Sequence, residues 1–486
     1  MKRTLIALAV IIASFAAYAT TTLYGYQNGS QNGSQTGSAS NGTSIKSDNL
    51  QMTTPDAQTG DLVIQWNRIL LEIVRLPPAT GINSPTIHPT RNFAIMHAAI
   101  YDAVNAIERT NSIFLVRTGA AQKASSKAAV AAAAHDTLVG LYPQLKDNLD
   151  IRLEESLAQI PDGSRKRLGI RVGQEVARRM LALRRNDDSD AQLLPFTPGV
   201  TPGDYQLTPP NFSQPVFTHW PFVKPFTLSD ANQFRPSPPP ALTSAEYTSA
   251  FQEIKELGVV DSSTRTADQT ESGAFWRAPI QNYWNEIAQT AALAHGTTLA
   301  QNARLFALLN LTFADGAISF YDAKYFYNFW RPVTAVRGAD TDNNPETIAD
   351  PNWTPQFATA LDPSYPGAHS VISSAGATIL SSFFDRDDFR FSVRSEVLPG
   401  VERSFTRFTA AAEDAGLSRI YAGQHFRFDH LAGQNQGRRI AKFVFRNFLV
   451  PRRHNDDDND DRRDDRRDDH RDDRRDDRRD DRRDDH

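Results

Sequence analysis

Three short stretches of the 486-residue chain carry residues that suit the binding of an oxyanion. The first contains Lys324 and Arg331, seven positions apart within a run of aromatic residues. Seven helical steps of about 100° return nearly to the same face, so the sequence predicts that both side chains point the same way. Pro332 is expected to end this helix at about Arg331. Burying cations in so apolar a setting is costly unless an anion meets them, although a pair of snorkelling surface side chains is the alternative.

The second stretch, DPSYPGAHSVIS, places Gly367, Ala368 and His369 at the predicted start of a helix. The first amides of a helix have no partner within it and carry partial positive charge. Small residues at this point let an oxyanion approach the amides closely. His369 is placed to reach the same anion, and an ordinary histidine at a helix start is the alternative.

The third stretch, SRIYAGQHFRFDH, is predicted to be a helix end, a turn at Gly423 and a new helix. Arg419 ends the first helix and His425 begins the second. His425 and Asp429 are four positions apart, so their side chains can meet on one face. A carboxylate that holds one imidazole nitrogen fixes the tautomer and makes the other nitrogen a better ligand or nucleophile. An ordinary surface pair is the alternative for this stretch alone.

Together the stretches supply three cations, two histidines, one orienting carboxylate and one helix N-terminus. Such a set suits a compact tetrahedral oxyanion in a dry pocket, because the cations offset its charge and the amides fill remaining lone pairs. Arg427 and His430 have no part in this geometry, and we expect them to lie on the surface.

The elements that must position these residues are predicted to be helices. Apolar residues recur at three- and four-residue spacing, and alternating strand patterns are scarce. Residues 190–241 are crowded with proline and glycine and are predicted to form a long ordered loop. The fold class is therefore all-α, a large bundle or a pair of bundles. The predicted helices cover residues 65–75, 91–108, 120–141, 145–160, 165–183, 244–257, 284–295, 298–329, 369–384, 405–421 and 429–448.

The two ends of the chain differ from this helical body, predicted for residues 56–451. Residues 1–19, MKRTLIALAVIIASFAAYA, have the basic start, apolar run and A-x-A site of a signal peptide, with an uncleaved anchor as the alternative. We therefore expect a secreted or periplasmic protein, and no later apolar run is predicted to span a membrane. Residues 20–55 are predicted to be a flexible linker, and the Arg/Asp-rich tail 452–486 to be disordered.

Composition excludes several classes of function. The chain has no cysteine, which rules out thiol chemistry and cysteine-ligated metals. Its formal net charge of −4 gives no general case for nucleic acid as a partner.

The order and spacing of the three stretches resemble the signature of the vanadium haloperoxidase and type 2 phosphatidic acid phosphatase superfamily. That signature is K-x6-RP, a P-S-G-H-like turn, and S-R-x5-H-x3-D, and it is met at Lys324, Arg331, His369, Arg419 and His425 with the spacing of each part kept. The segments MHAAIYDAVNAI, QFRPSPPPALTS and FWRAPIQNYWNEIA also look like the bacterial haloperoxidase-like branch. The likeness covers roughly residues 60–448 and is specific because three separate parts agree.

The resemblance implies an all-α fold of two four-helix bundles and a site for vanadate, with phosphate able to occupy the pocket of the cofactor-free protein. The resemblance implies that His425 would bond to vanadium and that Asp429 would orient His425. His369 would be the acid–base group. The oxygens would be held by Lys324, Arg331, Arg419 and the Gly367–Ala368 turn.

The activity implied is oxidation of a halide by hydrogen peroxide. One alternative is an acid phosphatase that attacks a phosphoester with His425 in the same pocket. A second is a catalytically weak oxyanion-binding surface protein. Two departures from the family pattern bear on this choice: Gly367 stands where the serine of the turn is usual, and Asp362 stands where a halide-contacting residue is expected. A free carboxylate there would repel a halide.

Overall fold

A computed structural model gives the structure of the protein for residues 60–77, 80, 82, 87–119 and 122–452. The predicted signal peptide 1–19, the linker 20–55 and the tail beyond Arg452 lie outside the described residues. The domain boundaries assigned to them therefore stay predictions.

The described residues are mostly helical, and their only strands form one antiparallel hairpin. The strands are β1 (Asp388–Arg394) and β2 (Glu402–Arg407). The helices of the first half are α1 (Leu62–Val74), α2 (His88–Glu108), α3 (Ser126–Leu141), α4 (Lys146–Ala158), α5 (Ser164–Arg184), α6 (Ala245–Leu257) and α7 (Ala267–Phe275). Those of the second half are α8 (Ile280–His295), α9 (Leu299–Tyr327), α10 (Pro332–Arg337), α11 (Ala368–Phe384), α12 (Phe408–Tyr421) and α13 (Arg427–Asn447).

The predicted all-α fold is confirmed, and the differences are local. The proline-rich segment 190–241 contains no α-helix and only one short 3₁₀ turn, Trp220–Phe222. The sequence pattern missed α7 and the six-residue α10. It also predicted a helix that begins at Phe405, whereas β2 continues to Arg407. The strand continues because Phe405 alternates with polar neighbours and pairs with Phe391 across the hairpin.

Helix α9 lies between two groups of helices. On one side α2, α3 and α5 pack against one another, and α2 packs on α9. On the other side α9 packs with α11 and α13, and α12 closes this bundle against α11. Both groups share one apolar core. The lysine of the first motif, Lys324, lies near the C-terminal end of α9, so the bundle of α9, α11, α12 and α13 positions the candidate site.

The sequence predicted that no segment after the signal peptide has membrane-spanning length, and helix α9 departs from this prediction. Its 29 residues are long and apolar enough to cross a membrane by length and composition. However, 94% of its most apolar window is buried within the protein, as in the core helix of a globular bundle.

Two glycines bring α13 unusually close to α11. A Cβ on Gly433 would lie 2.6 Å from the carbonyl oxygen of Gly367, and one on Gly437 would lie 2.1 Å from that of Val371. Any larger residue would therefore push the helices apart. This close crossing lets the amide of Gly367 donate to the carbonyl oxygen of Asp429 at 3.0 Å, which fixes the second motif stretch against the third.

Candidate active site

Lys324 and Arg331 come together, but not on one helix as the spacing predicted. Helix α9 ends at Tyr327, and Asn328 follows it in the left-handed conformation. Arg331 then takes an extended conformation as the residue before Pro332, which opens α10. The linker is held by the proline-rich loop, because the amide of Trp330 donates to the carbonyl oxygen of Gly203 at 2.9 Å. The turn, rather than helical periodicity, directs Arg331 into the pocket.

His425 and Asp429 meet as predicted, although His425 precedes the helix. Helix α13 begins at Arg427, and Asp429 lies in its first turn. The Asp429 carboxylate reaches back to the amide of Phe426 at 3.1 Å and to Nδ1 of His425 at 3.0 Å. Because the carboxylate can only accept, Nδ1 carries the proton and Nε2 of a neutral His425 keeps its lone pair. Nε2 lies 3.3 Å from Nη1 of Arg331.

The surroundings keep His425 neutral. Burial lowers the pKa of His425 well below its ordinary value, and the positive charges of Arg331, Lys324 and Arg419 lower it further. Burial also raises the pKa of Asp429 to about 6, despite the hydrogen bonds it accepts. The pair at neutral pH is therefore an imidazole held by a carboxylate, which leaves Nε2 as a ligand or nucleophile.

Asp362 places a carboxylate between the two cations of the first stretch. Its Oδ1 accepts a hydrogen bond from Nη2 of Arg331 and lies 3.5 Å from Nζ of Lys324. Burial alone would raise the pKa of Asp362, but the two cations together hold it below its ordinary value. The carboxylate is therefore ionised and paired. The expected repulsion of a halide assumed a free charge, which this ion pair largely offsets.

Arg419 differs from the other two cations because part of its guanidinium is unpaired. Its residue exposure is intermediate, but Nε and Nη1 are buried and have no hydrogen-bond partner among the described residues. Burial and the nearby charges of Arg277 and Arg331 lower the pKa of Arg419 to about 9. Buried donors of a charged group are costly to leave unsatisfied, so the arrangement favours an anionic ligand at this point.

His369 lies in the same electrostatic environment. Burial lowers the pKa of His369 well below its ordinary value, and Arg419 and Lys324 add to the effect. Its Nε2 lies 2.9 Å from the carbonyl oxygen of Trp276 and must donate to it. Neutral His369 therefore has Nδ1 free to accept a proton, which suits a base better than an acid at neutral pH.

The turn before α11 differs in part from its predicted role. The amide of Gly367 donates to Asp429, so this residue's amide is not available as the predicted anion donor. Ala368 opens α11 without a capping side chain, and its amide keeps the predicted role as a candidate. A Cβ on Gly367 would lie 3.3 Å from Oγ of Ser370 and 3.4 Å from the carbonyl oxygen of Asp429, so a serine fits with small shifts.

Ser364 is a site residue that the sequence analysis missed. It is fully buried and its hydroxyl donates to Oδ2 of Asp429, while Oγ of Ser364 also lies 3.4 Å from Nδ1 of His425. The signal was present in the sequence as a serine three residues before Gly367. The resemblance to the family motif pointed to position 367 instead.

His430 is not a surface residue, contrary to the prediction. It is 1% exposed, and its ring contacts Oγ of Ser370 at 2.9 Å and Glu413 at 3.3 Å. The first turn of α13 faces α11 and α12 here, so spacing within one motif did not reveal the contact. Arg427 is partly buried and pairs with Glu253 outside the site.

An aromatic layer encloses the cationic side of the site. It forms the second apolar cluster of the described residues, and its members Phe329, Trp330 and Phe426 flank Arg331 and His425 along the chain. Its largest members are Tyr247, Phe251, Phe329, Trp330, Trp353, Tyr365, Phe426 and Phe428.

Comparison with known proteins identifies similar chains. Residues 304–451, which contain every site residue predicted from the sequence, match the family model described as the VCPO second helical-bundle domain. The vanadium chloroperoxidase of Curvularia inaequalis is 25% identical over 78% of this chain and 81% of its own length. A bacterial vanadium-dependent iodoperoxidase structure is 25% identical, covers 83% of this chain and 100% of that chain, and has a TM-score of 0.67. A holo-type bacterial vanadium-dependent chloroperoxidase, 17% identical with a TM-score of 0.60, shares the fold over 75% of this chain and 94% of that chain.

Proposed function

We propose a specific reaction for this chain, which belongs to the vanadium haloperoxidase branch of its superfamily and is an enzyme of haloperoxidase type. In this proposal the pocket binds vanadate, and hydrogen peroxide oxidises a halide there. The observation that carries the proposal is that Arg419 keeps buried donors without a partner among the described residues and lies close enough to a neutral, buried His425 to lower its pKa. The membership also favours an enzyme over a binding protein without turnover.

The residues of the pocket fit a tetrahedral oxyanion. Nε2 of His425 would bond to vanadium, and the buried Nε and Nη1 of Arg419 would donate to its oxygens. Lys324 and Arg331 would hold further oxygens, sharing donors that Asp362 now accepts. When bound, vanadate supplies a Lewis-acidic centre that activates hydrogen peroxide toward halide.

The protein's own residues supply orientation and proton handling. Asp429 keeps the proton of His425 on Nδ1, so that Nε2 stays a ligand. Ser364 donates to the same carboxylate and limits its rotation. Nδ1 of His369 is free to accept a proton from incoming hydrogen peroxide, because its Nε2 donates to Trp276. The aromatic layer excludes bulk water and strengthens these interactions.

A phosphoesterase is the second candidate, and one observation favours it. The neutral imidazole of His425 keeps a lone pair on Nε2, which contacts Nη1 of Arg331, and Asp429 orients the ring, so it is also a nucleophile suited to attack phosphorus. The same cations would stabilise the charge on the transferring phosphoryl group.

Activity with and without the cofactor separates these candidates. We expect protein freed of oxyanions to oxidise bromide or iodide with hydrogen peroxide only after orthovanadate is added. His425→Ala should abolish this activity. A matched control, His295→Ala, removes an exposed histidine and should retain it. Phosphomonoester hydrolysis that orthovanadate inhibits, without halide oxidation, would instead establish the phosphoesterase.

Export is part of the same proposal. The first 19 residues support secretion or periplasmic export, with cleavage near Thr20. N-terminal sequencing of protein recovered outside the cytoplasm tests this.

A further inference from the structure

The carboxylate of Asp362 occupies the anion-binding side of the cationic pocket. It contacts Arg331, which is 1% exposed, and Lys324, which is 0% exposed. Neither cation reaches solvent, so the three groups form a buried ion cluster. The carboxylate thus takes the place that an oxyanion would need on these two side chains.

Most donors of the two cations are held by main-chain carbonyl groups that cannot move away easily. Nζ of Lys324 donates to the carbonyl oxygens of Pro363 and Ser364, the latter at 3.2 Å. Nε and Nη1 of Arg331 donate to the carbonyl oxygens of Asp362 at 2.7 Å and Gln424 at 2.9 Å. The carboxylate is the exception, because a side chain can rotate about its own bonds.

We propose that Asp362 is an internal counter-ion that competes with the oxyanion for Lys324 and Arg331 and so determines which oxyanions bind. This inference rests on the proposed function, since it assumes that the pocket binds an oxyanion. The competition weakens the binding of every such oxyanion. It penalises a doubly charged oxyanion most, because the repulsion from the retained carboxylate scales with ligand charge.

Removing the charge of Asp362 should therefore tighten binding. The test is calorimetric titration of the full chain with orthovanadate and, separately, molybdate, without peroxide or halide. Orthovanadate is largely singly charged and molybdate doubly charged at neutral pH. We expect Asp362→Asn to bind orthovanadate at least about tenfold more tightly, equivalent to about 1.4 kcal/mol, and to gain more for molybdate.

Control variants separate charge from shape. Asp362→Ser removes the same charge with a smaller side chain, so it should show the same gain if the Asn variant folds poorly. Asp362→Glu keeps the charge and should not gain. Asp322→Asn disrupts a different Asp–Arg pair, in which Arg235 donates at 2.7 and 2.8 Å, and should bind as the unmodified protein does.

The outcomes distinguish the two levels of the proposal. Unchanged or weaker orthovanadate binding in folded Asn and Ser variants, with binding by the unmodified protein, overturns the counter-ion role alone. Gains in the Asn and Ser variants that are no larger for molybdate than for orthovanadate overturn the role of Asp362 in selecting between oxyanions. If the unmodified protein binds neither anion and oxidises no halide, the proposed function fails and the counter-ion role fails with it.

Discussion

The two sides of the pocket satisfy their charges in different ways. On one side Lys324 and Arg331 are fully buried, and their donors meet Asp362 and main-chain carbonyl groups. On the other side Arg419 keeps two buried nitrogens without a partner among the described residues. The first side is an internal ion cluster that contributes to folding. The second is organised for something the chain itself does not supply.

This difference indicates how to recognise a cation whose donors only a ligand can satisfy. Burial separates the three basic residues only in part, since Lys324 and Arg331 are buried and Arg419 is half-buried, and the sequence motif gives all three the same role. The count of satisfied donors separates them more clearly, because a buried charge without a partner raises the free energy of the folded protein. We therefore expect substitutions of Arg331 to lower mainly the free energy of unfolding and substitutions of Arg419 to weaken mainly oxyanion binding.

The largest effect is expected for Arg331→Met. The variant leaves the buried carboxylate of Asp362 without its main partner, so the free energy of unfolding should fall by about 3–5 kcal/mol. Chemical denaturation measures this change. A loss below about 1 kcal/mol would show that the pair contributes no more than an exposed salt bridge and would remove the contrast between the two sides.

Arg419→Met should have the opposite profile. Removing an unpaired buried cation should leave the free energy of unfolding unchanged or raise it. Loss of charge-assisted hydrogen bonds worth about 1.5–3 kcal/mol should weaken orthovanadate binding roughly tenfold to hundredfold. Denaturation and calorimetric titration on the same preparation test both parts, with Arg419→Lys as the control that keeps the charge. Destabilisation as large as that of Arg331→Met would contradict the assignment.

The smallest effect is expected for Ser364→Ala, which changes a positioning residue between the two sides. The hydrogen bond from Ser364 lowers the pKa of Asp429, so its loss should raise that pKa further above about 6. Protonated Asp429 cannot accept from His425, and function is lost as pH falls through this pKa. We expect the acid limb of the halide-oxidation pH profile to move to higher pH. Loss of the hydrogen bond itself should lower the free energy of unfolding by about 1 kcal/mol. An unmoved acid limb would assign Ser364 a packing role alone.

The sequence predicted the helical fold and the residues of the pocket more fully than their geometry. Periodicity identified most helices because apolar faces are local signals, and motif spacing selected Lys324, Arg331, His425 and Asp429, which the structure brings together. The roles of these residues stay predictions. Spacing placed Arg331 on a helix, where a turn positions it.

Other features of the site depend on contacts between distant segments. The pairing of Asp362 and the hydrogen bond of Ser364 require the turn before α11 to meet α9 and α13. The burial of His430 requires α13 to cross α11 and α12. No pattern within one segment encodes these contacts, so the sequence supplied the candidates and the fold determined their partners.

Helix α9 connects the pocket to the far half of the molecule. It carries Lys324 near one end, and along its length it packs against α2 as well as α11. Proteolysis of the first half, or substitution of its core residues, should therefore shift α9 and with it the position of Lys324 in the anion site. Retention of bound oxyanion would then serve as a sensitive assay for the integrity of the entire purified protein.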